Sequence, residues 1–180
     1  WRSYSSSDLN GGRNNDRRRN DTTGHPPRCK LGVILMTMLS SHFSLAELTI
    51  TQAREIDNTP SAQVQENLRD LAGRLEAVRE LLDRPIIISS GYRSPKVNSL
   101  VGGSKTSAHI EGRAVDFICP GFGTPLEVCR AIVDSVLDFD QCIYEGTWVH
   151  LSFAPAMRRQ VLTAQDGKYI AGLNSKNEVA

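Results

Sequence analysis

Apolar residues recur every third or fourth position at Val64, Leu68, Leu71, Leu75, Val78 and Leu82, while Gln65, Arg69, Arg74 and Glu76 take the opposite face. That period is helical. It predicts one long amphipathic helix that starts at Thr59-Pro60-Ser61, runs to about Asp83 and buries its stripe in a core. Pro85 stops it, because proline lacks the N–H and crowds the preceding turn. Ile86-Ile87-Ile88 then reads as a buried strand. Upstream, Phe43 to Leu48 is expected as a short helix with Ser44 as its cap. Pro95 to Val101 is a second short helix, ended by the turn residues Gly102-Gly103.

The period changes to two between Arg113 and Ile118. Ala114, Asp116 and Ile118 face one way there, and Arg113, Val115 and Phe117 the other. After a turn at Pro120-Gly121-Phe122-Gly123, Thr124 caps a helix to about Leu137, with Leu126, Cys129, Ile132, Val133 and Val136 inward. Gln141 to Glu145 and Trp148 to Phe153 flank Gly146-Thr147, a pair that suits a two-residue type II′ hairpin. That register places Ile143 opposite His150 and Glu145 opposite Trp148. Glu145 and His150 then share one sheet face as diagonal neighbours, roughly 7 Å apart. A last hairpin is expected between Arg158 and Leu173, around Asp166-Gly167. The sum is an α+β fold, a small antiparallel sheet with helices on one side and an open face on the other.

Composition adds boundaries. Residues 1–37 carry seven Lys/Arg against three Asp/Glu, a net of +4, which leaves about −3 for the rest of a chain of 180 residues and net +1. A nearly neutral body argues against nucleic acid as the main partner, since phosphate binding needs a concentrated basic face. Arg17-Arg18-Arg19 is the one basic run, and a solvated tail explains it; a nucleic-acid role would require salt-sensitive binding that is lost without residues 1–30. Trp1 to Lys30 has no apolar period and is expected to be disordered. The nine-residue apolar run Leu31 to Leu39 is too short to span a bilayer and lacks a clear cleavage site. Met36 or Met38 is expected as the biological start. The organisation is therefore a basic tail over 1–38, a domain over 39–173 and a polar tail over 174–180. Cys29, Cys119, Cys129 and Cys142 show no paired spacing and read as buried thiols of a reducing compartment.

Chemistry concentrates in Ser107-Ala108-His109-Ile110-Glu111-Gly112-Arg113-Ala114-Val115-Asp116 and in Trp148-Val149-His150. Two imidazoles and a carboxylate are the ligand set of a zinc site that keeps one position for water. A carboxylate on a strand face between small and apolar neighbours is costly to bury unpaired, and a cation at Asp116 would resolve that. The plainer alternative, three satisfied polar residues, stays open on spacing alone. Arg93, at the end of the Ile86–Ile88 strand, offers a planar fork for a carboxylate, or else pairs with the domain's own acids. Ser107, two residues before His109, points the same way in an extended segment and either touches substrate or orients a ligand. His25 and His42 stand outside these motifs.

Taken together, Ser-x-His-x-x-Gly-x-Ala-x-Asp at 107–116 and Trp-x-His at 148–150 resemble the signature of the zinc D-Ala-D-Ala carboxypeptidases. Their wider group includes phage cell-wall endolysins, vancomycin-resistance dipeptidases and the hedgehog signalling domain. Ser89 to Pro95, Asn98, Val101 to Ser104, Phe139-Asp140-Gln141 and Tyr144-Glu145 extend the resemblance over about Ser41 to Phe153. It implies a hedgehog/DD-peptidase-like fold with a zinc cleft on the open sheet face, and one zinc held by His109, Asp116 and His150. Arg93 corresponds to the arginine thought to hold a substrate carboxylate or polarise the scissile carbonyl. Some relatives place a Glu three residues before the last histidine; that position here is Thr147, so hairpin geometry selects Glu145 as the base.

The expected activity is hydrolysis of peptidoglycan stem peptides, as a D,D-carboxypeptidase or an endolysin-type endopeptidase. A non-catalytic wall-binding module that keeps the metal site is the alternative. A monomer without membrane insertion is expected. It would be made in the cytoplasm as a phage-type lysin, or secreted as a bacterial wall enzyme.

Overall fold

The computed structural model describes residues 37–174, and the expectations for the basic tail and for residues 175–180 lie outside them. The elements run α1 (Leu45–Leu48), α2 (Ala62–Leu82), β1 (Ile87–Ser90), α3 (Pro95–Leu100), β2 (Ala114–Ile118), α4 (Pro125–Asp134), β3 (Gln141–Tyr144), β4 (Val149–Ser152), β5 (Gln160–Gln165) and β6 (Lys168–Ala171). The six strands form one sheet in the order β1-β2-β4-β3-β5-β6.

Local chemistry sets the helix ends. Ser44 caps α1 in a reciprocal box with Glu47, each side chain bonding the other's backbone N–H. Ser61 caps α2 by accepting from the N–H of Val64 at 3.3 Å. Asp83 ends α2 in a left-handed conformation, two residues before Pro85. The predicted stripe is the buried one: Leu68, Leu71, Leu75, Val78 and Leu82 are all at most 2% exposed, with Ala72 beside them. Helix α4 is shorter than expected. Ser135 closes it by turning its hydroxyl back onto the Ile132 carbonyl at 2.7 Å, so Val136, expected inward, is 97% exposed.

Alternation sorts the sheet into two faces. Ile88, Val115, Phe117, Cys142, Val149 and Leu151 pack against α1, α2 and α4 and form the core with them. The opposite face carries Asp116, Ile143, Glu145 and His150. The hairpin register holds as expected, with Ile143 opposite His150 and the Glu145 N–H donating to the Trp148 carbonyl at 3.1 Å.

Two further expectations are corrected. Strand β1 is an edge, so Ile86 and Ile88 are buried while Ile87 is 53% exposed, an alternating strand and not a buried run. The sheet is also mixed: β5 pairs with β3 in parallel, and every other pairing is antiparallel. The chain leaves β4, crosses the start of β3 and lays β5 on its far side. Asp140, 1% exposed, pins that crossover by accepting from the Arg158 backbone N–H, Nε and Nη2 at 3.2, 2.7 and 2.6 Å. Arg159 adds bonds to the Val133, Ser135 and Leu137 carbonyls and lies over the Phe139 ring at 4.7 Å.

Candidate metal centre and cleft

Asp116 of β2 and His150 of β4 are direct cross-strand partners, so their side chains rise from the same face at adjacent positions. His109 arrives from the loop before β2, which turns back at Gly112 with φ +70°. A side chain there would be strained, and a Cβ would also press on Val64 and Leu68 of α2. The Gly112 and Arg93 N–H groups both donate to the His109 carbonyl, at 3.2 and 3.1 Å, and fix that loop against the end of β1.

Gly91 supplies the second anchor. Its carbonyl lies 2.6 Å from His109 Nδ1, so Nδ1 carries the proton and donates, and Nε2 is left with its lone pair directed inward. Only glycine fits at 91, because a Cβ would stand 2.3 Å from the Leu48 carbonyl oxygen at the end of α1.

His109 Nε2, His150 Nδ1 and Asp116 Oδ1 then converge at separations of 3.2, 3.3 and 2.9 Å. Three acceptor atoms face one another, and a neutral His150 can offer them at most one proton. Tetrahedral ligands about 2.0–2.2 Å from a zinc lie roughly 3.4 Å from each other, close to these spacings. The donor set thus fits a metal ion, and these three residues could hold one. Burial disfavours a charge on Asp116, yet the two imidazoles beside it, with His150 Nδ1 able to donate to Oδ1, outweigh that and hold the carboxyl well below its usual range. Burial pushes the His109 imidazole towards its neutral form, the form a metal takes.

Around this centre lies a cleft of about 690 Å³. Arg93, Ser107 and Glu145, the remaining residues singled out from the sequence, all line it. Arg93 donates through Nε to Ser90 at 2.9 Å and through Nη2 to Asp116 Oδ2, so the pairing with the domain's own acid is present. Its Nη1 has no protein partner among the described residues. The Ser107 hydroxyl bonds none of the three converging side chains, and the residue lines the cleft. Burial raises the Glu145 carboxyl above its ordinary value, and the Asp116 charge adds to that. His42, outside the motifs, bonds Glu76 of α2 at 2.7 Å.

Sequence reading did not single out the far wall. Arg158, Leu162 and Tyr169 reach the cleft from the crossover and from β5 and β6. The Tyr169 hydroxyl lies 3.4 Å from Glu145 Oε1. The parity of the Asp166-Gly167 hairpin was the available signal, but it locates a face only once the partner of β5 is known. Among the described residues, no helix is long and apolar enough to cross a membrane.

A sequence model described as Peptidase M15 matches residues 41–152, which contain every residue singled out for the site. No curated protein matches the chain.

Proposed function

The chain belongs to the peptidase M15 family, and from that premise we propose that it hydrolyses peptidoglycan stem peptides at or beside their D-Ala terminus. His109, Asp116 and His150 would hold one zinc ion. Such an ion supplies Lewis acidity, acidifying water towards a pKa of about 7 and polarising a carbonyl. The observation that carries this reading is the convergence of three lone pairs on one sheet face, with Glu145 beside them in the same cleft.

The side chains divide the remaining work. Glu145, half-buried and with its carboxyl raised in pKa, takes a proton from the attacking water and returns it to the leaving amine. Arg93 keeps one end of its guanidinium on Asp116 and presents Nη1 to a substrate carboxylate or to the developing oxyanion. Ser107 offers its hydroxyl to the peptide. Such a protein acts on the cell wall, either as a phage-type lysin or as a secreted enzyme.

The test is release of new amine groups or D-alanine from purified peptidoglycan, with chelator and with zinc add-back. Release that chelator stops and zinc restores is expected, and the product identifies the bond. Glu145→Gln should keep one zinc per chain and lose turnover. Full activity in that variant removes Glu145 from the role of base. No release by the wild-type chain with zinc bound points to a wall-binding module.

A further inference from the structure

The β5–β6 hairpin lies wholly beyond residue 152, where the match to the family ends, yet it builds one wall of the cleft. Its placement follows from pairing. Tyr144 pairs with Thr163, and Ala164 pairs with Tyr169, so the next row across the sheet runs Trp148, Glu145, Ala164, Tyr169. All four face the metal centre's side. Glu145 and Tyr169 are separated by one strand, about 9–10 Å of sheet at the usual strand spacing. Alanine is the residue between them, and its small side chain lets the tyrosine ring reach across. A larger residue at 164 would stand in that path.

The contact is the only side-chain hydrogen bond of Glu145 among the described residues. Glu145 Oε2 has no protein partner there. Tyr169 is otherwise unengaged: its hydroxyl makes no other bond among the described residues, and the residue is 62% exposed. An exposed tyrosine on an edge strand adds little to the core, so packing does not account for its position. Burial and the Glu145 charge both raise the Tyr169 hydroxyl above its ordinary value, which keeps it protonated and able to donate.

We infer that Tyr169 is a positioning residue for Glu145: its hydroxyl donates to Oε1 and holds the carboxylate in one orientation, leaving Oε2 to exchange the proton with water and leaving amine. The inference rests on the reading of Glu145 as the base. It assigns the β5–β6 hairpin to the chemistry of the cleft, where a glutamate on a hairpin tip would otherwise sample several rotamers.

The experiment is a double-mutant cycle in the zinc-loaded full-length chain, with Tyr169→Phe, Glu145→Gln and the pair, assayed on a soluble stem peptide identified from the peptidoglycan products. Tyr169→Phe should lower kcat about five- to tenfold with KM, zinc content and melting temperature unchanged, as loss of one orienting hydrogen bond predicts. On the Glu145→Gln background the same change should cost nothing further. An unchanged kcat in Tyr169→Phe overturns the inference. So does a raised KM alone, which would make the ring a substrate platform, or an equal loss on both backgrounds. If Glu145→Gln itself keeps full turnover, the base assignment falls first and this inference with it. An inactive Glu145→Gln beside a fully active Tyr169→Phe rejects the hairpin's role alone.

Discussion

Replacing Gly91 by alanine tests how tightly the fold and the metal centre are joined. The added Cβ would stand 2.3 Å from the Leu48 carbonyl oxygen and 2.8 Å from its carbon. Neither atom has room to give. That oxygen already accepts from the Tyr92 N–H at 2.7 Å, and the following turn is tied by Asn58, which donates to both the Thr49 and the Tyr92 carbonyls at 3.0 and 3.1 Å. Relief therefore requires α1 and the end of β1 to separate by about 1 Å, with loss or lengthening of the 92–48 bond. Overpacking of this kind costs about 1–3 kcal/mol, and a weakened buried hydrogen bond adds about 1. The expected loss is thus about 2–4 kcal/mol in urea unfolding of the metal-free protein, measured without zinc so that metal linkage does not enter. The shift also moves the Gly91 carbonyl away from His109 Nδ1, and loss of such an orienting partner typically lowers metal affinity by about 10–100-fold. Zinc titration against a competing chelator reads that second effect. Unchanged stability together with unchanged affinity would refute the steric argument. Lost stability with intact affinity would show that His109 does not depend on the Gly91 carbonyl.

Two further outcomes follow from the cleft's far end and near wall. Asp140→Asn should destabilise the domain by about 2 kcal/mol at neutral pH, less than a fully buried pair because Arg158 is half exposed to solvent. The Arg158 hydrogen bonds hold the Asp140 carboxyl below its ordinary value, so this contribution is complete above about pH 4 and disappears as pH falls through the lower folded value. The gap between wild type and variant in urea midpoints should therefore close in acid, and a gap that is constant down to pH 2 would contradict it. Ser107→Ala should leave zinc affinity unchanged and raise KM two- to fivefold, on the order of one neutral hydrogen bond to substrate; a loss of zinc affinity instead would place Ser107 among the ligands' supports.

Much of this was readable from the chain because it was written in short periods. The α2 stripe, the alternation of β2 and the Gly146-Thr147 hairpin are local, and each fixes which side chains share a face. The convergence of the three candidate ligands was legible for a related reason. Asp116 and His150 are neighbours as soon as β2 pairs with β4, and His109 is delivered by a glycine turn seven residues earlier. The parallel pairing of β3 with β5 was not legible. It depends on where the crossover passes, which Asp140, Arg158 and Arg159 decide through contacts some twenty residues apart. Val136 misled because it sits in phase with the α4 stripe, and periodicity does not register that Ser135 ends the helix with its own hydroxyl. Gly91 was noticed only as part of a motif. That Leu48 presses against it belongs to the packing of α1, which no pattern within either segment encodes.

The sheet order has a consequence for how this protein can fail. The three converging side chains hang from β2, β4 and a loop fastened to β1, strands at one side of the sheet that the core helices cover. The proposed base sits beside the β3–β4 turn and leans on β6, whose four residues are all exposed. On the proposed reading, loading and turnover are thereby entrusted to different parts of one sheet. On that same reading, losing the outer hairpin's contact with Glu145 would leave a chain that keeps its three ligand side chains and resembles its family over the whole matched span, yet turns over more slowly. A survey that scores only the three ligands would not see the difference.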